Sequence, residues 1–353
     1  MALTVLSVAY PFAPVGPDAV GGAEQVLSAL DRALVRNGHR SIAIACEGSR
    51  AAGELVPLPL PGGTIDDLVR KQTWAKLRGL IGEVLAREPV DLVHMHGIDF
   101  HAYLPEEAPT LATLHLPLDW YPDWIFERRM NLWLHCVSAA QHKTAPEGAT
   151  LLPPIPNGVP RELFETRCRK RDHAIVLSRI CPEKGIHLAM EACGLAGQPL
   201  LIGGQVFPYE EHERYFREQV VPLLAPTRRF LGPLGFHRKR RLLASARCAI
   251  VPSLVAETSS LTAIEALACG TPVIAFPHGA LPEVIEHGRT GFIVKDVPDM
   301  ARAIAAASSL DPEVCRKAAW ERFSPDLMEQ RYLSLYREIA LAAAPMHAPV
   351  RNG

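Results

Sequence analysis

Residues 247–279 read RCAIVPSLVAETSSLTAIEALACGTPVIAFPHG, and this stretch decides the fold. Ala249-Ile250-Val251 is a short apolar run stopped by Pro252-Ser253, the pattern of a buried strand entering a loop. Thr258, Ser259 and Ser260 can cap free N–H groups and predict a helix start; Gly270 followed by Pro272 predicts its end. Residues 271–276 then read as a second buried strand. Strand, loop, helix and strand in that order form one repeat of a parallel sheet. Two carboxylates mark the unit, Glu257 in the loop and Glu265 inside the helix. Eight helical residues advance ~12 Å and turn ~80° beyond two full turns. Both carboxylates can therefore line one rim of a cleft, at a distance suited to a ligand longer than a simple sugar. Between them, the N–H groups of Ser259, Ser260 and Leu261 stand at a helix N-terminus, where a phosphate is favoured. A capping glutamate and a surface ion pair fit the same spacing, so the pair alone leaves two readings open.

The surroundings of the pair carry a resemblance. Glu257 and Glu265 have seven residues between them, after Pro252-Ser253 and before Ala266-Leu267-Ala268-Cys269-Gly270-Thr271-Pro272-Val273-Ile274-Ala275. Gly279-Ala280-Leu281-Pro282-Glu283 and His287-Gly288-Arg289-Thr290-Gly291-Phe292-Ile293-Val294 continue the pattern. This context resembles the E-x7-E signature of retaining GT-B glycosyltransferases of family GT4, the group 1 glycosyltransferases. The resemblance implies an α/β fold of two Rossmann-like domains facing each other across a cleft.

Composition agrees with two ordinary globular domains. The chain has 353 residues, 48% hydrophobic and 21% charged, long enough for two cores. Lys+Arg number 37 and Asp+Glu 38, so no global field recommends nucleic acid as a partner. The 8 cysteines are scattered without a C-x-x-C pair, which fits free thiols in a reducing compartment better than a disulfide framework or a zinc site. Met1-Ala2-Leu3-Thr4-Val5 has no basic n-region, and no run of about 20 apolar residues exists. The expectation is a cytoplasmic protein, with peripheral membrane contact left open.

Residues 3–9 read as a strand, followed by a Pro- and Gly-rich loop to Gly21-Gly22, a helix from Ala23 to about Arg36, and a strand at 41–46. G-x-G-x-x-G is absent, which weighs against NAD or FAD. The Gly21-Gly22 pair before a helix suits close approach of a phosphate or sugar, or simply a tight turn. By resemblance, Gly21-Gly22-Ala23-Glu24 matches the loop that faces the donor diphosphate and the acceptor. Residues 65–87 predict an amphipathic helix carrying Leu68, Trp74, Leu77, Leu80, Ile81 and Leu85, made basic by Arg70, Lys71, Lys76 and Arg78. Such a helix covers a sheet, or meets a membrane surface or an anionic acceptor. His94, His96 and His115 lie at the C-terminal ends of strands read at 91–95 and 111–115, where sites in open α/β sheets gather. No carboxylate or Cys joins these histidines at a ligand spacing, so a metal cluster is not expected. His115 matches the family's T-x-H position, which implies contact with the donor sugar or help with the acceptor proton. Residues 136–138 read as the next strand. Asn157-Gly158-Val159 matches the turn before the interdomain linker, and residues 161–172 are polar and irregular.

A second α/β pattern starts with a strand at 174–178. Arg179 and Lys184 then project near a helix N-terminus, where two cations and backbone N–H groups can clamp a diphosphate. Ser178-Arg179 and Glu183-Lys184-Gly185 match the family's diphosphate-binding loop. Residues 200–202 end in Gly203-Gly204, and Phe230-Leu231-Gly232-Pro233-Leu234 resembles the edge that receives the nucleobase. Arg238-Lys239-Arg240-Arg241 opens a helix, as a solvated face or as a reach toward a phospholipid or polyphosphate acceptor. Helices are predicted at 298–307, 311–322 and 325–341, the last with Leu327, Tyr332, Leu335, Tyr336 and Ile339 on one stripe. The expected domains are 1–165 on the acceptor side and 166–324 on the donor side. Residues 325–342 are expected to cross back as a helix, and 343–353 to form a disordered tail.

The resemblance implies a carbohydrate-biosynthesis enzyme that moves a sugar, with retention, from a UDP- or GDP-sugar to an acceptor hydroxyl. The acceptor would be a carbohydrate, a lipid-linked glycan or a small molecule, with selection by loops 11–20 and 116–124, where Trp120, Tyr121 and Trp124 can stack or pack. Arg179, Lys184 and the N-terminus at Ser259, Ser260 and Leu261 would stabilise the departing diphosphate with no metal and no cofactor. Glu257 would hold the sugar hydroxyls and Glu265 the ribose. Thr258-Ser259-Ser260 departs from the apolar or Gly-rich stretch common in the family, which bears on the sugar contacts. The rival readings are another GT-B enzyme such as a nucleotide-sugar epimerase, a non-catalytic sugar-nucleotide-binding subunit, and an NAD oxidoreductase disfavoured by the missing glycine fingerprint.

Overall fold

Two parallel six-stranded sheets organise the chain, each the core of its own unit. The computed structural model describes residues 2–16, 19, 21–60 and 65–343. Part of the expected acceptor loop (Pro17, Asp18, Val20) and nearly all of the expected tail fall outside them.

The first unit holds residues up to Pro156 together with the C-terminal helix. Its strands are β1 (Thr4–Val8), β2 (Arg40–Cys46), β3 (Glu54–Leu58), β4 (Leu92–Met95), β5 (Thr110–Leu114) and β6 (Leu132–Cys136), ordered β3-β2-β1-β4-β5-β6. Val5, Leu6 and Val8 of β1 and Ile42, Ala43 and Ile44 of β2 are all fully buried. That continuity of apolar residues, rather than alternation, marks strands covered on both faces. Register follows β1, with Thr4 opposite Arg40 and Val5 opposite Leu92. β3 was not anticipated; Pro57 stands in it, tolerable because β3 is an edge strand that needs no further ladder bond.

The helix Asp67–Arg87 buries Thr73, Leu77, Ile81 and Val84, while Leu68 of the expected stripe is 64% exposed. The C-terminal helix Pro325–Ala343 turns Met328, Tyr332, Leu333, Tyr336 and Ile339 onto Leu3, Val5, Leu30 and Leu34. Leu327, also expected on its stripe, points outward. No helix among the described residues is long and apolar enough to cross a membrane.

The second unit, Asn157–Pro325, repeats the plan. Its strands are β7 (Ala174–Leu177), β8 (Leu200–Gly203), β9 (Arg228–Phe230), β10 (Cys248–Val251), β11 (Val273–Ala275) and β12 (Gly291–Ile293), ordered β12-β11-β10-β7-β8-β9. The division falls after Pro156, earlier than the boundary expected at 165. The reason is packing: Val159 and Phe164 are buried in the second unit's core beside Leu267 and Phe323, and residues Arg161–Phe164 are helical rather than irregular. Gly158 fits there because a Cβ would stand 2.7 Å from the Pro325 Cα.

Candidate functional site

In the second sheet β7 and β10 lie side by side at the centre, and the winding reverses between them. Loops leaving the C-terminal ends of two such strands diverge and leave a crevice, the usual ligand position in open parallel sheets. The loop after β7 carries Arg179 and Lys184, and the loop after β10 carries Glu257. The two loops are docked on each other. Leu254 N–H donates to the Glu183 carbonyl at 2.8 Å, and Gly185, at φ +57°, leaves 2.3 Å between a would-be Cβ and the Pro252 carbonyl oxygen. Only glycine tolerates both that dihedral and that approach.

Across this seam Lys184 Nζ meets Glu257 Oε1 at 2.5 Å, with both side chains less than a fifth exposed. Two residues 73 positions apart are thus brought into one charge pair. Glu257 is also held by its backbone: Ala280 N–H donates to its carbonyl at 2.7 Å, and it bridges to Gly279. At φ +63°, Gly279 admits this because a Cβ would come within 2.2 Å of the Glu257 carbonyl oxygen. Arg179 stands 3.6 Å from Glu183 and is 41% exposed, so its guanidinium faces solvent more than Lys184 does.

The chain enters helix Leu261–Ala268 through Ser260 at φ +57°, the sole non-glycine positive φ among the described residues. Such a conformation costs about 1–3 kcal/mol. Ser260, the N-cap residue, makes no hydroxyl cap; it supplies its carbonyl, to Ala263 and Ile264. The first-turn N–H groups, which no helix satisfies internally, carry a partial positive charge that the Ser260 hydroxyl does not cover. Glu265 is not a surface residue. Its side chain is 4% exposed and its Oε1 accepts from Lys239 Nζ at 2.7 Å. Lys239 was read as part of a solvated or acceptor-seeking basic run. It lies instead between Phe164 and Phe236 and neutralises a buried carboxylate, and Arg240 donates to the Leu163 carbonyl. Only Arg238 and Arg241 of that run are fully outward. Leu234 packs over the end of β8, where a Cβ on Gly203 would meet its Cδ1 at 2.5 Å.

Gly21, Gly22 and His115 belong to the first unit. Gly21 is the N-cap of helix Gly22–Arg36 and makes no side-chain cap. The carboxyl of Glu24 folds back over it, 1.9 Å from where a Cβ would be, and burial raises that carboxyl above the usual range. In this geometry Glu24 itself occupies the approach to the glycine pair.

His94 and His96 belong to a buried hydrogen-bond network. Thr113 Oγ1 is its hub, 2.7 Å from His94 Nε2, 2.7 Å from His135 Nε2 and 3.3 Å from the Tyr332 hydroxyl. His94 Nδ1 meets the Tyr336 hydroxyl at 2.8 Å, and His135 Nδ1 meets the Cys136 carbonyl at 3.0 Å. Donor counting assigns the protons. A carbonyl only accepts, so His135 Nδ1 donates to it and His135 Nε2 accepts the Thr113 hydroxyl. His94 Nε2 and Tyr332 then donate to Thr113, and Tyr336 donates to His94 Nδ1. His96 Nδ1 lies 3.1 Å from His115 Nε2 with the rings stacked. Burial and the neighbouring histidines push His94 and His96 well below the usual imidazole value and His115 to about 3, and burial alone pushes His135 to about 4. His115 is therefore neutral near pH 7, able to give or take a hydrogen bond but not to act as a cation. The aromatics of loop 116–124 divide: Tyr121 is buried, whereas Trp120 and Trp124 are exposed, Trp124 under Arg129.

A groove of about 390 Å³ lined by Met190, Leu195, Leu223, Arg228 and Val297 contains none of these residues.

Comparison with known proteins gives this arrangement a context. The family profile of the glycosyl transferases group 1 matches residues 171–309, and that of glycosyltransferase family 4 matches residues 20–163. A putative colanic acid biosynthesis glycosyltransferase WcaL of Salmonella typhimurium is 27% identical over 172 residues, 44% of this chain and 41% of that protein. A D-inositol 3-phosphate glycosyltransferase of Geodermatophilus obscurus is 31% identical over 220 residues, 54% of this chain and 48% of that protein. The chain thus spans less than half the length of these curated relatives. Among solved structures, a sucrose-phosphate synthase from Thermosynechococcus elongatus superposes with a TM-score of 0.79 at 20% identity, covering 96% of this chain and 100% of the other. Anabaena HepE in complex with UDP-glucose gives 0.74 at 18% identity, covering 95% and 100%. At these identities the likeness is one of fold, the two-domain α/β GT-B fold.

Proposed function

The chain belongs to the group 1 glycosyltransferases, and from that premise we propose that it transfers a sugar from a nucleoside-diphosphate sugar, bound at the second unit, to an acceptor hydroxyl with retention at the anomeric carbon. The observation that carries the reading is the Lys184–Glu257 pair at the switch point of the second sheet, beside the N-terminus of helix Leu261–Ala268. In the structure these two groups neutralise each other. An incoming diphosphate is the better partner for Lys184, carrying more negative charge, and it releases Glu257 to accept hydrogen bonds from sugar hydroxyls. Donor binding is then an exchange of ion pairs rather than the desolvation of a lone cation, which keeps its cost low.

Arg179 adds a second cation, exposed enough to swing onto the phosphate. As the glycosidic bond lengthens, negative charge grows on the diphosphate, and Lys184, Arg179 and the N–H groups at Ser260 and Leu261 would stabilise it. These fixed charges supply the stabilisation that a divalent ion gives in other sites, and the reaction is proposed to run without one. Glu265, its Oε1 held by Lys239, is the candidate acceptor for the ribose hydroxyls. His115, neutral, positions a hydroxyl rather than neutralising a charge.

The test is a transfer assay. The protein is incubated with UDP-, GDP-, ADP- and TDP-sugars and a panel of hydroxyl acceptors, magnesium added or omitted, and the anomeric configuration of the product is read by NMR. The reading expects one donor to be consumed at equal rate with and without magnesium, giving a product of the donor's own anomeric configuration. An inverted product, or turnover only with magnesium, overturns it.

A further inference from the structure

Cys181, Glu183 and His212 form a cluster with no part in the scheme above. Cys181 opens the short turn Pro182–Lys184, Glu183 lies within that turn, and His212 comes from the separate helix Glu210–Tyr215. The Cys181 Sγ, a Glu183 carboxylate oxygen and a ring nitrogen of His212 all lie within 4.8 Å of one another. Cys181 is fully buried and His212 only 8% exposed. The His212 Nδ1 is buried with no hydrogen-bond partner. A buried imidazole nitrogen without a partner is unfavourable, and a ligand in the cluster would relieve it.

We propose that Cys181, Glu183 and His212 form a zinc site that ties the turn Pro182–Lys184 to the helix Glu210–Tyr215. A thiolate, an imidazole and a carboxylate are the three ligand types that suit Zn²⁺, and a mixed set of this softness disfavours Mg²⁺ and Ca²⁺. A tetrahedral zinc holds its ligand atoms about 3.5 Å apart. Atoms already within 4.8 Å of one another need only small side-chain adjustments to reach that spacing, and Glu183, only partly buried, has the freedom to make one. The fourth position faces that open side and takes water. Binding replaces the Cys181 S–H by an S–Zn bond and releases the proton to solvent. It also draws Glu183 away from Arg179, now 3.6 Å from it. Cysteine spacing alone hides the site, because the third ligand lies on another element.

The full-length chain, stripped of metal with a chelator, is titrated with Co²⁺ under anaerobic conditions and then with Zn²⁺. The proposal expects one Co²⁺ per chain, with the near-ultraviolet thiolate-to-cobalt charge-transfer band and the intense visible bands of a tetrahedral ion, both removed by Zn²⁺. Cys181→Ser should lose the charge-transfer band although seven other cysteines remain. His212→Gln and Glu183→Gln should each weaken Co²⁺ by about tenfold or more. Zinc should raise the thermal midpoint of the wild type and leave that of Cys181→Ser unmoved, with circular dichroism confirming that each variant is folded. A charge-transfer band that survives Cys181→Ser, unchanged affinity in His212→Gln, or a wild-type chain that takes up no cobalt would leave only a thiol–carboxylate hydrogen bond and overturn the proposal. None of these readouts depends on a sugar donor.

Discussion

Acidification should loosen the first unit, and the histidine network sets the size of the effect there. The imidazoles of His115 and His135 titrate at about 3 and about 4 in the folded protein because both are buried, against roughly 6.5 in an unfolded chain. Their folded values lie below the unfolded one, so below pH ~6.5 the unfolded state binds more protons. The stability they contribute is complete above that pH and is lost as pH falls toward the folded values. Between pH 7 and pH 5 each gives up about 2 kcal/mol by this linkage. His94 and His96 shift in the same direction. The carboxyls of Glu24, Asp99 and Glu329 are raised by burial and work in the opposite sense, favouring the folded state as pH falls. The clean quantity is therefore a difference. Urea unfolding at pH 7 and pH 5 is followed by tryptophan fluorescence, which reports the first unit because Trp74, Trp120, Trp124 and Trp133 lie there and only Trp320 in the second. The wild type should lose about 2 kcal/mol more than His135→Gln over that interval. Parallel losses in the two proteins would refute the assignment of His135 as a buried neutral group.

Three further outcomes follow from the same geometry. Thr113→Val removes the hub of the network and strands His94 Nε2–H, His135 Nε2 and the Tyr332 hydroxyl in the interior; urea midpoints should show a loss of about 3–6 kcal/mol, and a loss under ~1 kcal/mol would contradict the network. Lys239→Met leaves the Glu265 carboxylate buried without its cation and should cost about 3–5 kcal/mol, most of it restored by adding Glu265→Gln, whereas an unstable double variant would mean that Lys239 matters only for packing. Gly279→Ala forces a Cβ against the Glu257 backbone; the donor KM should rise while Gly288→Ala, at φ +75° with open space around it, leaves KM unchanged, and equal effects of the two would point to backbone strain alone.

The alternation of apolar runs with Gly- and Pro-marked loops made most strands readable, because a parallel sheet buried on both faces leaves a continuous local signal. β3 escaped: its Glu54-Leu55-Val56-Pro57-Leu58 is half exposed and broken by proline, and it is a strand only because β2 offers it an edge. The glutamate pair and the two cations were legible as residues, but their pairing was not. Nothing local in Lys184 indicates Glu257, and nothing in the run 238–241 shows that Lys239 turns inward to Glu265. Long-range partners explain the other gaps as well. His94 finds Tyr336 across 242 positions, so three histidines that looked like site residues resolve into one intermediate residue, His115, and a buried fastening for the C-terminal helix. The left-handed Ser260 carries no sequence mark, since serine has no intrinsic preference for that dihedral.

The account rests most heavily on the second unit's cation loop taking a nucleoside diphosphate. Isothermal titration of UDP, GDP, ADP and TDP into the wild type and Lys184→Ala, with magnesium added and omitted, tests it directly. One diphosphate should bind the wild type without magnesium, and Lys184→Ala should weaken it by about 10- to 100-fold, with circular dichroism showing that the variant is folded at the titration temperature. Binding that is equal in the two proteins, or absent for all four diphosphates, would contradict the account.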